Sequence, residues 1–424
     1  MTATTATPHP AAAGPEVLAG IRVLDFTERI QGPWATQALG DLGAEIIKVE
    51  RASSVTPDGR PDERYPDPAD PPSLYSATFL CTNRNKKSIT LDLKSGGGLA
   101  VARRLVALAD VVYENFRPGV MDRLGLGYDD CAAINPGIVY ASASGYGPDG
   151  PYAAKPGQDV LAQALGGFGA MNVSGDGRPT AVGWSVTDMF GGMNGAFAVL
   201  AALLHRQRTG QGQRVSVSLL DSAVGAQCEQ GVHFLNTQVG EPARRTPMHA
   251  HPYIPPPYGF YKTADGYLAL SSGRQIPELA RILDAPELLD ERFAGYWGRE
   301  RNRVELEEIL EAKLQARTTA EWLELMEPED LFAAPVKTFA EAFSDPQVQH
   351  NGMVVTVESP LGELKLIGPP YRLSRTPPRV KTAPPVHGQH TGEVLTLAGY
   401  TPGEINALHE SGAVPAPRPS DETR

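Results

Sequence analysis

From Ile21 onward the chain alternates short β-branched runs with amphipathic stretches of helical period. "IRVLDFT" (Ile21–Thr27) reads as a strand, "PWATQALGDLG" as a helix opened by Pro33 and closed by glycine, and "AEIIKVE" (Ala44–Glu50) as the next strand. Together they make one βαβ unit. "SITLDL", the helical "GGGLAVARRLVALA" and "DVVYENF" (Asp110–Phe116) make a second, and a third runs through "VMDRLGLGYDDCAAIN" to "GIVYASASGYG". A helix from Met189 to Arg208 and the strand-to-helix segment "RVSVSLLDSAV" follow. Such alternation predicts an α/β fold, a mostly parallel sheet covered by helices. The loops after Glu50, Phe116 and Gly145 then lie on one side, where such sheets bind ligands.

From Pro242 the texture changes. "HAHPYIPPPYGFYKTADGYLALSS" reads as a Pro-rich linker and a hairpin turning at "TADG", and three helical segments with no intervening strand run through "EWLELM" to "EDLFAAPV". "MVVTVESPLGELKLIGPP" reads as a further hairpin. The expected organisation is a disordered tail over 1–17, an α/β domain over 18–240, a smaller domain over 241–335, a return to the first over 336–414, and a second tail over 415–424. The Pro- and Asp-rich loop Ser53–Ser73 is long enough to expect function or mobility.

Composition narrows the class. With 41% hydrophobic and 21% charged residues, the chain is of soluble globular type. Its longest apolar run, Ala196–Leu204, falls short of the roughly 20 residues of a bilayer span, so no membrane is expected. The N-terminus lacks the basic residues that open a secretory signal. The three cysteines, Cys81, Cys131 and Cys228, form no CxxC pair, which argues against disulfides and zinc and for a cytoplasmic setting. A net charge of −11 argues against nucleic acid. Positive charge gathers locally at Arg51, at Lys87 in "NRNKK", and at Arg103, Arg104, Arg117 and Arg123. These are either solvated surface cations or, beside loops that follow strands, the holders of a nucleotide-containing polyanion.

The motifs exclude several chemistries. "GYGPDG" (Gly145–Gly150) matches a dinucleotide fingerprint in letters, but Pro151, Pro156 and Gly157 forbid a regular helix before Asp159, and the fingerprint belongs in the first βα unit. No histidine lies between His9 and His205, so acid-base work in the α/β core falls to carboxylates, Lys or Tyr. "HAH" (His249, His251) and "HGQH" (His387, His390) have no nearby carboxylate or Cys to complete a metal site. Two aspartates remain: Asp188 in "SVTDMFGGMNG" and Asp159 in "PGQDVLAQALGG", each before a helical run. Each reads as a helix cap or as a catalytic carboxylate, and spacing alone does not choose.

The residues themselves resemble the class III CoA-transferases, the group that includes formyl-CoA:oxalate and carnitine CoA-transferases and the α-methylacyl-CoA racemases. The resemblance is carried by "LAGIRVLDFTERIQGPWATQALGDLGAEIIKVER", "NRNKKSITLDLKS", "DVVYENFRPGVMDRLGLGYD", "ASASGYGPDGPYAAKPGQDVLAQALGG", "SVTDMFGGMNGAFAVLAALLHRQRTGQGQRVSVSLLDSAV", "DPQVQHNGM" and "HGQHTGEVL". It implies an interlocked homodimer with a Rossmann-like large domain built from both chain ends and a smaller α+β domain inserted between. It also implies an enzyme moving CoA from an acyl-CoA donor to a free carboxylic acid, with CoA as co-substrate and no further cofactor or metal. Asp188 matches the aspartate that becomes acylated, and Asp159 a supporting acidic group. Arg51, Arg123, Leu124 and Arg117 match CoA contacts, to which the charge cluster adds Lys87. Such a site must close and supply oxyanion donors, and glycines suit both tasks as mobile lids and as unshielded N–H groups. A racemase needs a histidine within "DDCAAIN", where this chain has Ala132 and Ala133; that reaction is the alternative, and a non-catalytic CoA-binding protein a further one. "ERIQGP" (Glu28–Pro33) departs from the oxalate-using members, and their Gly-rich small-domain loop has no counterpart, so oxalate is not the expected acceptor.

Overall fold

The structure is a computed structural model that describes residues 16–51, 74–173, 177–237, 246–359 and 362–415. The Ser53–Ser73 loop, the tip of the second hairpin and most of both expected tails lie outside these. Glu16 belongs to the fold rather than to a tail, because it pairs with Lys381 at 2.6 Å. Likewise Thr90 donates to the Pro415 carbonyl. Two compact units emerge, one made of Met1–Ala162, Ser185–Ala223 and Gln347–Arg424, the other of Gln163–Trp184 and Val224–Pro346. The change of texture at Pro242 therefore falls inside the second unit.

The first unit is built on a six-stranded sheet. Its strands are β1 (Arg22–Asp25), β2 (Glu45–Arg51), β3 (Lys86–Leu91), β4 (Val111–Glu114), β5 (Val139–Ser144) and β6 (Gln213–Ser218). All pair in parallel, in the order β3-β2-β1-β4-β5-β6. This is the doubly wound order, with its switch point between β1 and β4, where such sheets open a crevice beyond the carboxyl ends. Helices α1 (Gln31–Asp41), α2 (Leu74–Thr82), α3 (Gly96–Leu108), α4 (Val120–Arg123), α5 (Tyr128–Ile134), α6 (Asp159–Leu165), α7 (Phe168–Met171) and α8 (Val186–Thr209) follow in chain order. Pro33 stands in the first turn of α1, where a missing N–H costs nothing.

Strand alternation splits the apolar residues between two cores. Leu24, Ile47, Ile89, Val112 and Tyr140 face α3, Leu126 and the C-terminal residues Val394 and Val414. Val23, Ile46, Val111, Tyr113 and Val139 face α1 and α8. By length and composition α8 could cross a membrane, but half of its most apolar stretch is buried, as in a core helix.

The second unit holds the antiparallel sheet β7 (Tyr258–Lys262), β8 (Tyr267–Ser271) and β9 (Ala333–Pro335), with the "TADG" turn between β7 and β8 as expected. Four α-helices, not three, separate β8 from β9. The strand β9 lies in "EDLFAAPV", too short for a period-2 signal. In the first unit, β10 (Val354–Ser359) and β11 (Gly362–Ile367) form the second hairpin.

Candidate active site

Asp188 is the third residue of α8 and does not cap it; Ser185 precedes the helix and makes no side-chain cap bond either. The cap comes from elsewhere. Asp159 Oδ1 accepts from the Thr187 N–H and Thr187 Oγ1, each at 2.8 Å, and from the Asp188 N–H at 3.3 Å. The two aspartates thus meet at one helix end, with different tasks: Asp159 satisfies the orphan donors and leaves the Asp188 side chain free of that duty.

The backbone N–H of Gln31, the first residue of α1, lies near enough to the Asp188 carboxylate to favour its charged form. The carboxylate therefore lies at one helix N-terminus and within the first turn of another, both favourable places for negative charge. Burial, and after it the Asp159 charge, push its pKa up to about 7, against the Gln31 N–H.

Glycine makes this meeting of α1 and α8 possible. A Cβ on Gly191 would stand 2.6 Å from Gln31 Nε2, one on Gly192 2.8 Å from the Gln31 carbonyl oxygen, and one on Gly195 1.9 Å from the Tyr113 hydroxyl. These glycines are not lids: they are buried, helical positions that let α8 lie close on α1 and β4.

The segment leading into α1 is held from below by a buried polar cluster. Asp25 Oδ1 accepts from the Thr27 N–H at 2.8 Å and from Thr27 Oγ1 at 2.5 Å, while Lys48 Nζ donates to the Thr27 carbonyl at 2.7 Å. Lys86 Nζ donates to Asp25, the Pro33 carbonyl, Thr36 and Asn83 at 2.8–3.0 Å. Burial alone would raise the Asp25 pKa, but Lys86, Lys48 and the two threonine hydroxyls hold it down to about 2. On the far side of the crevice, Asn115 exchanges two hydrogen bonds with the Glu28 backbone at 2.8 and 2.7 Å. This tie joins the loops after β1 and β4, and Arg29 is held between them at φ +68°.

The cations divide by commitment. Arg117 and Arg123 are exposed in the segment after β4, and neither side chain has a hydrogen bond or ion pair among the described residues. Leu124 closes α4 and packs on the core. Arg51, at the end of β2, is already paired with Glu28 at 2.7 Å. Lys87 lies in the first half of β3, away from the carboxyl ends, and bridges Glu45 and Glu393 at 2.7 Å each. The structure therefore brings Asp188 and Asp159 together and leaves Lys87 in a structural ion-pair triad. Gln31 and the Asp25 cluster were not singled out from sequence. The only signal was the departure of "ERIQGP" from the oxalate-using pattern.

The histidine pairs are engaged with protein groups. His390 Nδ1 accepts from the Ser88 N–H at 3.1 Å, His387 bonds the Arg51 carbonyl at 3.0 Å, and His251 bonds Gln230 at 2.8 Å. Among the described residues no group of three or more His, Cys, Asp or Glu is placed to hold a metal ion.

A doubly wound sheet and a half-buried carboxylate between two helix N-termini give the fold and the candidate site, and comparison with known proteins gives the class its name. The chain belongs to CoA-transferase family III, whose model matches residues 18–391. It is 37% identical over 404 residues to succinyl-CoA:glutarate CoA-transferase of Mus musculus, covering 94% of this chain and 90% of that protein. It is 36% identical over 387 residues to succinate–glutarate CoA-transferase of Agrobacterium fabrum, covering 89% and 94%. Among solved structures it resembles Rv3272 of Mycobacterium tuberculosis, with a TM-score of 0.78 and 34% identity over 90% of this chain and 99% of that one. The enzyme is an acyl-CoA:carboxylate CoA-transferase.

Proposed function

We propose that this enzyme transfers CoA through covalent intermediates on Asp188, with a dicarboxylate such as succinate or glutarate among its acids. The Asp188 carboxylate attacks the donor thioester to give a mixed anhydride and CoA thiolate. The thiolate adds to the Asp188 carbonyl and expels the donor acid, leaving an aspartyl-CoA thioester. The acceptor acid then repeats the two steps in reverse, and the thioester energy is kept throughout. One observation carries the reading: the half-buried Asp188 carboxylate lies beside the Gln31 N–H at the start of α1, a donor near at hand for an oxyanion formed on the aspartyl carbonyl.

Arg117 and Arg123, free of protein partners among the described residues, suit the CoA phosphates, with Leu124 beside them. Arg51 joins them only by leaving Glu28. CoA is co-substrate, and the reaction as written calls for no other cofactor. The dicarboxylate preference is drawn from the relatives named for glutarate. A homodimer is part of the reading, supported by the apolar residues that α8 exposes, Met193, Phe197 and Leu204. The cytoplasmic setting is supported by three free cysteines. The test is mass spectrometry of the Asp188 peptide after incubation with succinyl-CoA, acetyl-CoA or longer acyl-CoA thioesters and hydroxylamine. A hydroxamate at Asp188 is expected, and an unmodified peptide with every donor would remove the mechanism.

A further inference from the structure

Gln31 is 5% exposed, and its Nε2 is buried without a hydrogen-bond partner among the described residues. A buried amide left in this state is unfavourable, because it has given up water and received nothing in exchange. Its location gives the reason. The backbone N–H of the same residue lies beside the Asp188 carboxylate and favours its charge. The amide itself lies over Gly191, whose Cβ would stand 2.6 Å from Nε2. Gly191 follows Asp188 by three residues, one turn along the same face of α8. Gln31 therefore presents two donors beside Asp188: its backbone N–H, and a side-chain amide without a partner among the described residues, seated where a glycine leaves room for it.

We infer that the Gln31 side-chain amide is a catalytic hydrogen-bond donor, which takes the carbonyl oxygen of the incoming acyl group. The inference rests on the acylation of Asp188 proposed above. As an Asp188 oxygen bonds to the thioester carbonyl carbon, the carbonyl π pair moves onto its oxygen, which becomes an oxyanion; Nε2–H donates to it. The oxyanion then collapses, the C–S bond breaks, and the electron pair leaves on CoA thiolate. No proton is consumed. The amide carries no charge, so it favours the developing oxyanion without binding the ground-state carbonyl tightly.

The test compares wild type with Gln31→Met, which keeps most of the side-chain volume and removes both amide hydrogens, and with Gln31→Ala. Acylation of Asp188 by succinyl-CoA, acetyl-CoA or a longer acyl-CoA is followed in a single turnover by hydroxylamine trapping, and thermal stability in parallel. Both variants should acylate roughly 10²- to 10³-fold more slowly, with the half-saturating acyl-CoA concentration within threefold of wild type. Gln31→Met should melt at or above the wild-type temperature, because an unsatisfied donor has been removed. A structural role would give the opposite pairing, lower stability with lower activity, and would overturn the inference. So would a Gln31→Met enzyme that acylates at the wild-type rate. If the wild type itself is never labelled, the covalent reading of Asp188 has failed first, and the role of Gln31 falls with it.

Discussion

The backbone N–H of Asp188 points to the carboxylate of Asp159, 3.3 Å from its Oδ1. One aspartate thereby caps the helix that carries the other, and its charge also opposes ionisation of the other. Asp159→Asn separates these effects, since the amide oxygen can still accept from Thr187 while the charge is gone. On the proposed mechanism Asp188 attacks as the carboxylate, so activity should rise with pH through about 7 in the wild type. In Asp159→Asn this rise should move to lower pH, without returning to that of a free carboxylate, because burial is the larger cause. Asp159→Ala should additionally lose about 1 kcal/mol of stability with the cap. A pH–kcat profile of Asp159→Asn that overlays the wild type would contradict the charge coupling.

Asp188→Asn should abolish transfer, and it should also change stability in a pH-dependent way. The folded pKa of Asp188 is raised above that of the unfolded chain, so the protonated carboxyl favours the fold. That contribution is complete below pH 4 and is lost as pH rises through about 7. The melting temperature of Asp188→Asn relative to wild type should therefore climb between pH 5 and pH 8. The full span is at most about 4 kcal/mol at 1.36 kcal/mol per pKa unit. Melts showing a constant difference across that range would mean that Asp188 ionises freely in the fold.

Arg117 and Arg123 should behave unlike Lys87. Removing either arginine should raise KM for acyl-CoA about tenfold, the value of one charge-assisted phosphate contact of roughly 1.4 kcal/mol, with kcat little changed. The effect should shrink as salt is added. Lys87→Met breaks contacts with Glu45 and Glu393 instead, so it should alter stability and leave KM alone. A tenfold rise in KM for Lys87→Met would restore that residue to the CoA site.

The legibility of this chain follows from how local each signal is. Strands β1 to β6 announce themselves as short β-branched runs set between helical stretches, and their parallel pairing follows from the helices between them. β9 was invisible, since three residues ending in a proline carry no period. Asp188 and Asp159 stood out as acidic residues at helix starts, but sequence offered two caps, whereas Asp159 caps the helix of Asp188 across 28 positions. Gln31 was missed for the same reason: its importance depends on Gly191, a neighbour only after folding. The glycines misled, because freedom of the backbone and absence of a side chain look identical in a sequence. Their helical, buried positions show that the second property is the one used here.

Gly195 makes that last distinction testable. In an exposed helix, glycine to alanine gains about 1 kcal/mol from backbone entropy. Here the new methyl carbon would stand 1.9 Å from the Tyr113 hydroxyl, which is buried and without a hydrogen-bond partner among the described residues. The clash outweighs the propensity gain, and Gly195→Ala should lose about 1–3 kcal/mol as α8 is pushed away from β4. Tyr113→Phe removes an oxygen that bonds to nothing among those residues, so alone it should be neutral or stabilising. It also leaves the next ring atom 3.1 Å from the same methyl, a distance that a small shift can absorb. The double variant should therefore recover most of the stability lost in Gly195→Ala, with a coupling energy of about 1 kcal/mol or more in a double-mutant cycle read from thermal or urea unfolding. Strict additivity would mean that the two residues do not meet as the structure places them, and the close seating of α8 that brings Asp188 to Gln31 would need another explanation.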